Sequence, residues 1–123
     1  MPHLSLEYSA NLEIKKDFRE LFSLLHKVLA EEAGILESHC KSRAVMRQDY
    51  FIADGKAQHA FVHLEVAILQ GRTNSIKKKL GDSLLQALKQ HFGTPPGLQI
   101  SIEIRDMKKD QYHKYPALNK GGV

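Results

Sequence analysis

The sequence predicts an α+β fold of two consecutive βαβ units (βαββαβ): a four-stranded mixed sheet with two helices on one face. Three observations predict it. Four short runs, at about 3–8, 41–52, 60–69 and 98–105, carry the residue types and alternation of strands. Two longer stretches between them place apolar residues at the three-and-four spacing of an amphipathic helix. Glycine, proline and small polar residues separate these stretches and repeat the order strand, helix, strand.

In the first run Leu4, Leu6 and Tyr8 share one face and His3, Ser5 and Glu7 the other, the pattern of a half-buried strand. Ser9-Ala10-Asn11 is a polar turn. From about 14 to 32, Phe18, Leu21, Phe22, Leu25, Val28 and Leu29 follow helical spacing, and Gly34 is placed to end the helix. A connector over 35–40 leads into the second strand, and Asp54-Gly55 signals a turn that brings the chain back on itself. The third run sets Val62, Leu64, Val66 and Ile68 on one face. Beyond Gly71-Arg72, Thr73 or Asn74 can cap a second helix whose stripe is Ile76, Leu80, Leu84 and Leu88, with Leu85 and Phe92 alongside. Gly93-Thr94-Pro95-Pro96-Gly97 stops it. The last run alternates through Leu98, Ile100, Ile102 and Ile104.

A chain of 123 residues is expected to form one domain over 1–123. Its pseudo-repeats fall at about 1–55 and 56–106, and a polar tail over 107–123 ends in Lys120-Gly121-Gly122-Val123. Each unit wants a parallel strand pair joined by its helix. With both helices on one side, the other sheet face is expected to be apolar or half-apolar and to be covered by oligomerisation. No apolar run approaches the ~18 residues of a membrane span. The single cysteine, Cys40, excludes an intrachain disulfide, and the chain is expected to be cytoplasmic. The formal charge of +4 fits an anionic ligand or nucleic acid equally and singles out neither.

Several chemistries find no pattern to support them. Of seven histidines, His59 and His63 have HxxxH spacing, but on a strand they lie roughly 13 Å apart, so no metal site is expected. His39 and Cys40 are neighbours on an extended chain and point in opposite directions, which argues against a nucleophile pair. The order βαββαβ is shared with RNA-recognition modules, so a non-catalytic basic nucleic-acid-binding module is the alternative class. The last strand lacks the aromatic residues such modules stack on bases.

What remains is the start of the chain. A proline at position 2 normally allows Met1 to be trimmed, leaving the Pro2 nitrogen as a free secondary amine. While Met1 stays, that nitrogen is a tertiary amide without basicity. An α-amine titrates near pH ~7.7–8.0, and burial or nearby cations lower that value toward the range of a useful general base. Lys41 and Arg43, two apart on the second strand, point to one face, and Arg72 stands at the exit of the third; such cations can hold carboxylates.

The chain resembles the 5-carboxymethyl-2-hydroxymuconate isomerases of the tautomerase superfamily, which work through an amino-terminal proline. The matching residues are Met1-Pro2-His3, Ser42-Arg43, Ala53-Asp54-Gly55, Ala60-Phe61-Val62-His63, Gly71-Arg72 and His91-Phe92. The resemblance runs from residue 1 to about 105. It implies a tautomerase-like homotrimer with one site per subunit and neither metal nor organic cofactor. It implies that Pro2 is the general base of a 1,3-allylic proton shift, enol to conjugated ketone, on an unsaturated 2-hydroxy or 2-oxo dicarboxylate from aromatic-compound breakdown. Arg72 matches a family arginine that binds carboxylate and polarises the 2-oxo group. Lys41 stands where the family has a second arginine, keeping the charge but losing the planar two-pronged donor. Arg43 matches a further family arginine and is expected to bind substrate. A different tautomerase-type substrate or reaction on the same fold, such as keto-enol tautomerisation or a dehalogenase-like hydration, is the nearest alternative. Neither nucleic acid nor membrane is expected as a partner.

Overall fold

A computed structural model of the chain describes residues 1–117; residues 118–123, with the Lys120-Gly121-Gly122-Val123 end of the expected tail, lie outside the described residues. The chain runs β1 (His3–Ser9), α1 (Phe18–Ala33), a 3-10 turn (Glu37–His39) and β2 (Lys41–Arg47). It continues through β3 (Ala60–Leu69), α2 (Asn74–Phe92), β4 (Leu98–Met107) and a second 3-10 turn (Lys109–Gln111). One mixed sheet has the order β2-β1-β3-β4. β1 runs parallel to β2 and β3 parallel to β4, while the central pair, β1 and β3, is antiparallel. The two βαβ units on one mixed sheet are as the sequence predicts, and they meet along their first strands.

Local chemistry sets the helix ends. Asp17 is extended and its Oδ1 accepts from the Arg19 N–H at 2.9 Å, so α1 begins at Phe18. At the other end Gly34, at φ 66°, turns the chain out of the helix while its N–H still reaches the Ala30 carbonyl. Thr73 Oγ1 accepts from the Ile76 N–H at 3.2 Å and starts α2. Leu21, Leu25 and Leu29 from α1 join Leu80, Leu84 and Leu88 from α2 over Leu4, Leu6, Val62, Leu64 and Val66 of the sheet. All are essentially inaccessible to water. Truncating one of them, Leu64→Ala, is expected to cost ~2–5 kcal/mol, transfer and cavity together.

Two expectations are corrected. α1 starts at Phe18 rather than near 14, and Ile14 lies outside it, exposed. β2 ends at Arg47 rather than 52, and Asp54-Gly55 is not a hairpin turn, because β1 lies between β2 and β3. Residues 48–59 instead carry the chain from the sheet edge to its centre. The turn within them is local, with the Gly55 N–H on the Ile52 carbonyl at 2.8 Å and Gly55 at φ 81°. The helix-free face is at most half-apolar, with Val45, Phe61, Ala67 and Leu69 standing among polar and charged residues. It carries Glu7 paired with Arg47 at 2.6 Å, Glu65 with Arg105 at 3.1 Å, and His63 Nδ1 within 2.7 Å of Ser101 Oγ. Water can cover such a face, each exposed pair adding only ~0–1 kcal/mol.

Candidate active site

Pro2 is buried at the entrance to β1, and Met1 ahead of it is only 2% exposed. The register that pairs His3 with Lys41 brings the start of β2 alongside, with the Lys41 N–H on the Pro2 carbonyl at 3.1 Å. The 3-10 turn before β2 aims the His39 carbonyl at the chain start. That carbonyl accepts from both the Met1 amine and Lys41 Nζ, each at 3.0 Å. The Met1 amine is consequently pushed down to about 5, by burial first and then by Lys41 and Lys114. An amine at this place is held neutral at neutral pH.

Behind Pro2 lies a small cavity walled by Met1, Ile35, Ile68, Leu69 and Arg72. With Met1 in place it measures ≈ 10 Å³, room for about one water at most. Arg72, half-buried, donates from Nε to the Ala33 carbonyl at 3.0 Å. That bond ties the exit of β3 to the end of α1, where Arg72 walls the same cavity as Pro2. Among the described residues its two terminal nitrogens make no hydrogen bond.

Arg43, two residues along β2, shares the helix-free face with Lys41. Its Nη2 lies 2.8 Å from His3 Nδ1, and His3 Nε2 lies 2.9 Å from the Tyr112 hydroxyl. A guanidinium can only donate, so Nδ1 is the acceptor and Nε2 carries the proton. Burial, then the Met1 amine when it is protonated, then Arg43 and Lys41, lower the His3 pKa and keep the ring neutral. Sequence reasoning missed His3 and Tyr112 as members of this group. His3 was legible as a polar residue at the head of a strand, but Tyr112 arrives by a tertiary contact that no local pattern announces.

Of the residues singled out from sequence, Pro2 and Arg72 share one cavity; Lys41 is not in its wall, and its Nζ shares the His39 carbonyl with the Met1 amine. Arg43 sits beside them, linked through His3. His59 and His63 do not converge: His59 Nε2 meets Asp54 Oδ1 at 2.9 Å, whereas His63 meets Ser101. Among the described residues no group of three His, Cys, Asp or Glu is arranged to hold a metal ion. Burial raises the Cys40 thiol, and its Sγ donates to the Leu36 carbonyl, so it is a poor nucleophile. Among the described residues no helix is long and apolar enough to cross a membrane. The helix-free face mixes Glu7, Glu65 and Glu103 with its cations, unlike a base-stacking platform.

Residues 2–120 match the family described as 5-carboxymethyl-2-hydroxymuconate isomerase. A 5-carboxymethyl-2-hydroxymuconate Delta-isomerase of Escherichia coli is 28% identical over 122 residues, 97% of this chain and 91% of that protein. The fold is similar to the crystal structure of a 5-carboxymethyl-2-hydroxymuconate isomerase from Deinococcus radiodurans R1, with a TM-score of 0.82 and 35% identity. That match covers 92% of this chain and 87% of the other. A fused 4-OT symmetric trimer is similar in fold alone, with a TM-score of 0.74 at 14% identity over 97% of this chain and 98% of that one.

Proposed function

The chain belongs to the 5-carboxymethyl-2-hydroxymuconate isomerase family, and on that premise we propose that it is a cofactor-independent isomerase with Pro2 as its general base. The observation that carries this reading is the burial of Pro2 beside Arg72, where an amine is already depressed by burial and by Lys41. Removing Met1 would move the free amine onto Pro2 and vacate the space the methionine side chain fills. Proline's amine is intrinsically more basic than Met1's, so the same surroundings would bring it from above neutrality toward it.

The neutral Pro2 nitrogen accepts the proton that a dienol gives up and delivers it to carbon, leaving the conjugated ketone. From the dienol the proton leaves the 2-hydroxyl oxygen and one is added at C5; from the unconjugated 2-oxo isomer the same base takes it from C3 and returns it at C5, which is the 1,3-allylic shift. Arg72 binds a carboxylate and faces the developing enolate oxygen; Lys41 holds a second carboxylate and depresses the base. One arrangement of cations serves both needs. The acid in the family's name carries three carboxylates, two from muconate and one from the carboxymethyl group. The dicarboxylate expected from sequence undercounts that compound by one, and Arg43 is a further cation able to meet it. Lys41, where the family has arginine, favours a related acid as the second reading. Assembly as a homotrimer is part of the proposal, on the likeness to a symmetric trimer, and so is a cytoplasmic location.

The test is ketonisation of 5-carboxymethyl-2-hydroxymuconate, followed by ultraviolet absorbance, with protein shown by intact mass to lack Met1. Pro2→Ala is expected to lower kcat/KM by ~10²–10⁴, the range of a lost general base. Turnover that survives both Pro2→Ala and retention of Met1 would sink the mechanism.

A further inference from the structure

Three arginines stand on the helix-free face, and two are neutralised: Arg47 by Glu7 and Arg105 by Glu65. Arg43 differs. Among the described residues it has no carboxylate partner; what holds it is His3 Nδ1, a neutral acceptor. An imidazole fixes the direction of a guanidinium without cancelling its charge, leaving its other N–H groups for an anion. His3 is fixed in turn from far along the chain. Beyond β4 the Lys109 N–H donates to Gln70 Oε1 at 2.9 Å, anchoring the segment that brings Tyr112 back over the sheet. The Tyr112 hydroxyl accepts from His3 Nε2 at 2.9 Å, and its ring stands edge-on to the imidazole with centroids 5.9 Å apart. Ala67, opposite His3 on β3, is only 5% exposed although it lies on this open side, as expected where the returning chain crosses.

Arg43 and Lys41 are two residues apart on one strand, so their Cα atoms lie roughly 7 Å apart on the same face. That spacing suits two carboxylates of one small polyacid. We propose that Arg43, aimed by His3 and Tyr112, recognises a third carboxylate of the substrate, which makes Tyr112 a positioning residue that sets the preference for tricarboxylic over dicarboxylic acids. The proposal rests on the isomerase reading above, because Lys41 and Arg72 are there assigned the other two carboxylates.

The experiment compares 5-carboxymethyl-2-hydroxymuconate with 2-hydroxymuconate, which lacks the third carboxylate, in Met1-free wild type, Arg43→Gln and Tyr112→Phe. The preference for the tricarboxylate, as a ratio of kcat/KM values, is expected to fall about tenfold or more in Arg43→Gln, the scale of a lost charge-assisted hydrogen bond. In Tyr112→Phe it is expected to fall by a smaller factor, about threefold, carried by KM rather than kcat. NMR titration of the same proteins with propane-1,2,3-tricarboxylate and with glutarate reads the preference without turnover. A gap in affinity that closes in the variants supports the proposal even where wild-type turnover is absent, in which case only the catalytic reading falls. Wild-type turnover with the preference unaltered in Arg43→Gln overturns the proposal and leaves the catalytic reading standing. An unaltered preference in Tyr112→Phe overturns the positioning role.

Discussion

The two ends of the central strand pair begin alike and finish differently. β1 and β3 each open a βαβ unit beside a parallel neighbour, His3 against Lys41 and Ala60 against Leu98. Because the two strands are antiparallel, these starts lie at opposite ends of the sheet. At the β1 end there is a chain terminus, Lys41 opposite it, and Arg72 three residues past the end of β3. At the β3 end the nitrogen belongs to an internal peptide, its N–H tied to the Gly97 carbonyl at 3.0 Å. Leu98 stands where Lys41 does, and Leu12, three residues past β1, where Arg72 does. The β3 end nevertheless has the larger cavity, ≈ 360 Å³ against ≈ 10 Å³, lined in part by Asn11, Lys15, Gln58 and Phe92. Space alone does not make a site. On the reading proposed above a basic nitrogen among cations does, and among the described residues the β1 end is where an amine stands beside Lys41 and Arg72.

The sharpest way to break this contrast is to alter each end in turn. Retaining Met1 should lower kcat/KM by ~10² or more, the scale of a lost general base, whereas Lys15→Ala at the opposite end should change it less than about twofold. A comparable loss from both would erase the distinction. Next in size, Arg72→Ala should cost ~10²-fold in kcat/KM, with Arg72→Lys recovering only part, since the lysine offers charge without the fork.

Lys41→Ala should act mainly through pH. A nearby cation disfavours the protonated amine, so removing it raises the amine's pKa and moves the acid limb of the kcat/KM profile to higher pH. Activity at neutral pH should fall about tenfold, roughly one pKa unit, and Lys41→Arg should restore the limb. The smallest effects concern what the two units share. Asp17→Ala and Thr73→Ala each remove a helix cap and should each cost ~1 kcal/mol in urea unfolding. The units are matched as scaffolds and unmatched as chemistry.

Much of this was legible locally. β3 falls at 60–69 as its residue pattern predicts, and Thr73, Gly34 and Gly93 mark helix ends through side-chain or backbone chemistry that acts within a few residues. Asp17 followed by Glu20 is a capping signature that would have placed the start of α1 correctly. The extent of β2 was not legible, because Tyr50, Phe51 and Ile52 have strand character and only the insertion of β1 between β2 and β3 ends the strand at Arg47. The polar share of the open face was legible residue by residue in His3, Ser5 and Glu7, but which residues of β2 and β4 join them depends on register. Pro2, Lys41, Arg43 and Arg72 could be nominated from sequence. Their meeting, and the link from Tyr112 through His3, depends on sheet register and on a contact spanning most of the chain.

The central claim is best tested by titrating the Pro2 nitrogen itself, by ¹⁵N NMR of proline-labelled protein lacking Met1. The account predicts a pKa below the ~7.7–8.0 of an ordinary α-amine, coinciding with the acid limb of kcat/KM for 5-carboxymethyl-2-hydroxymuconate. A nitrogen that titrates above that range, or a limb that ignores it, would mean that Pro2 is not the base.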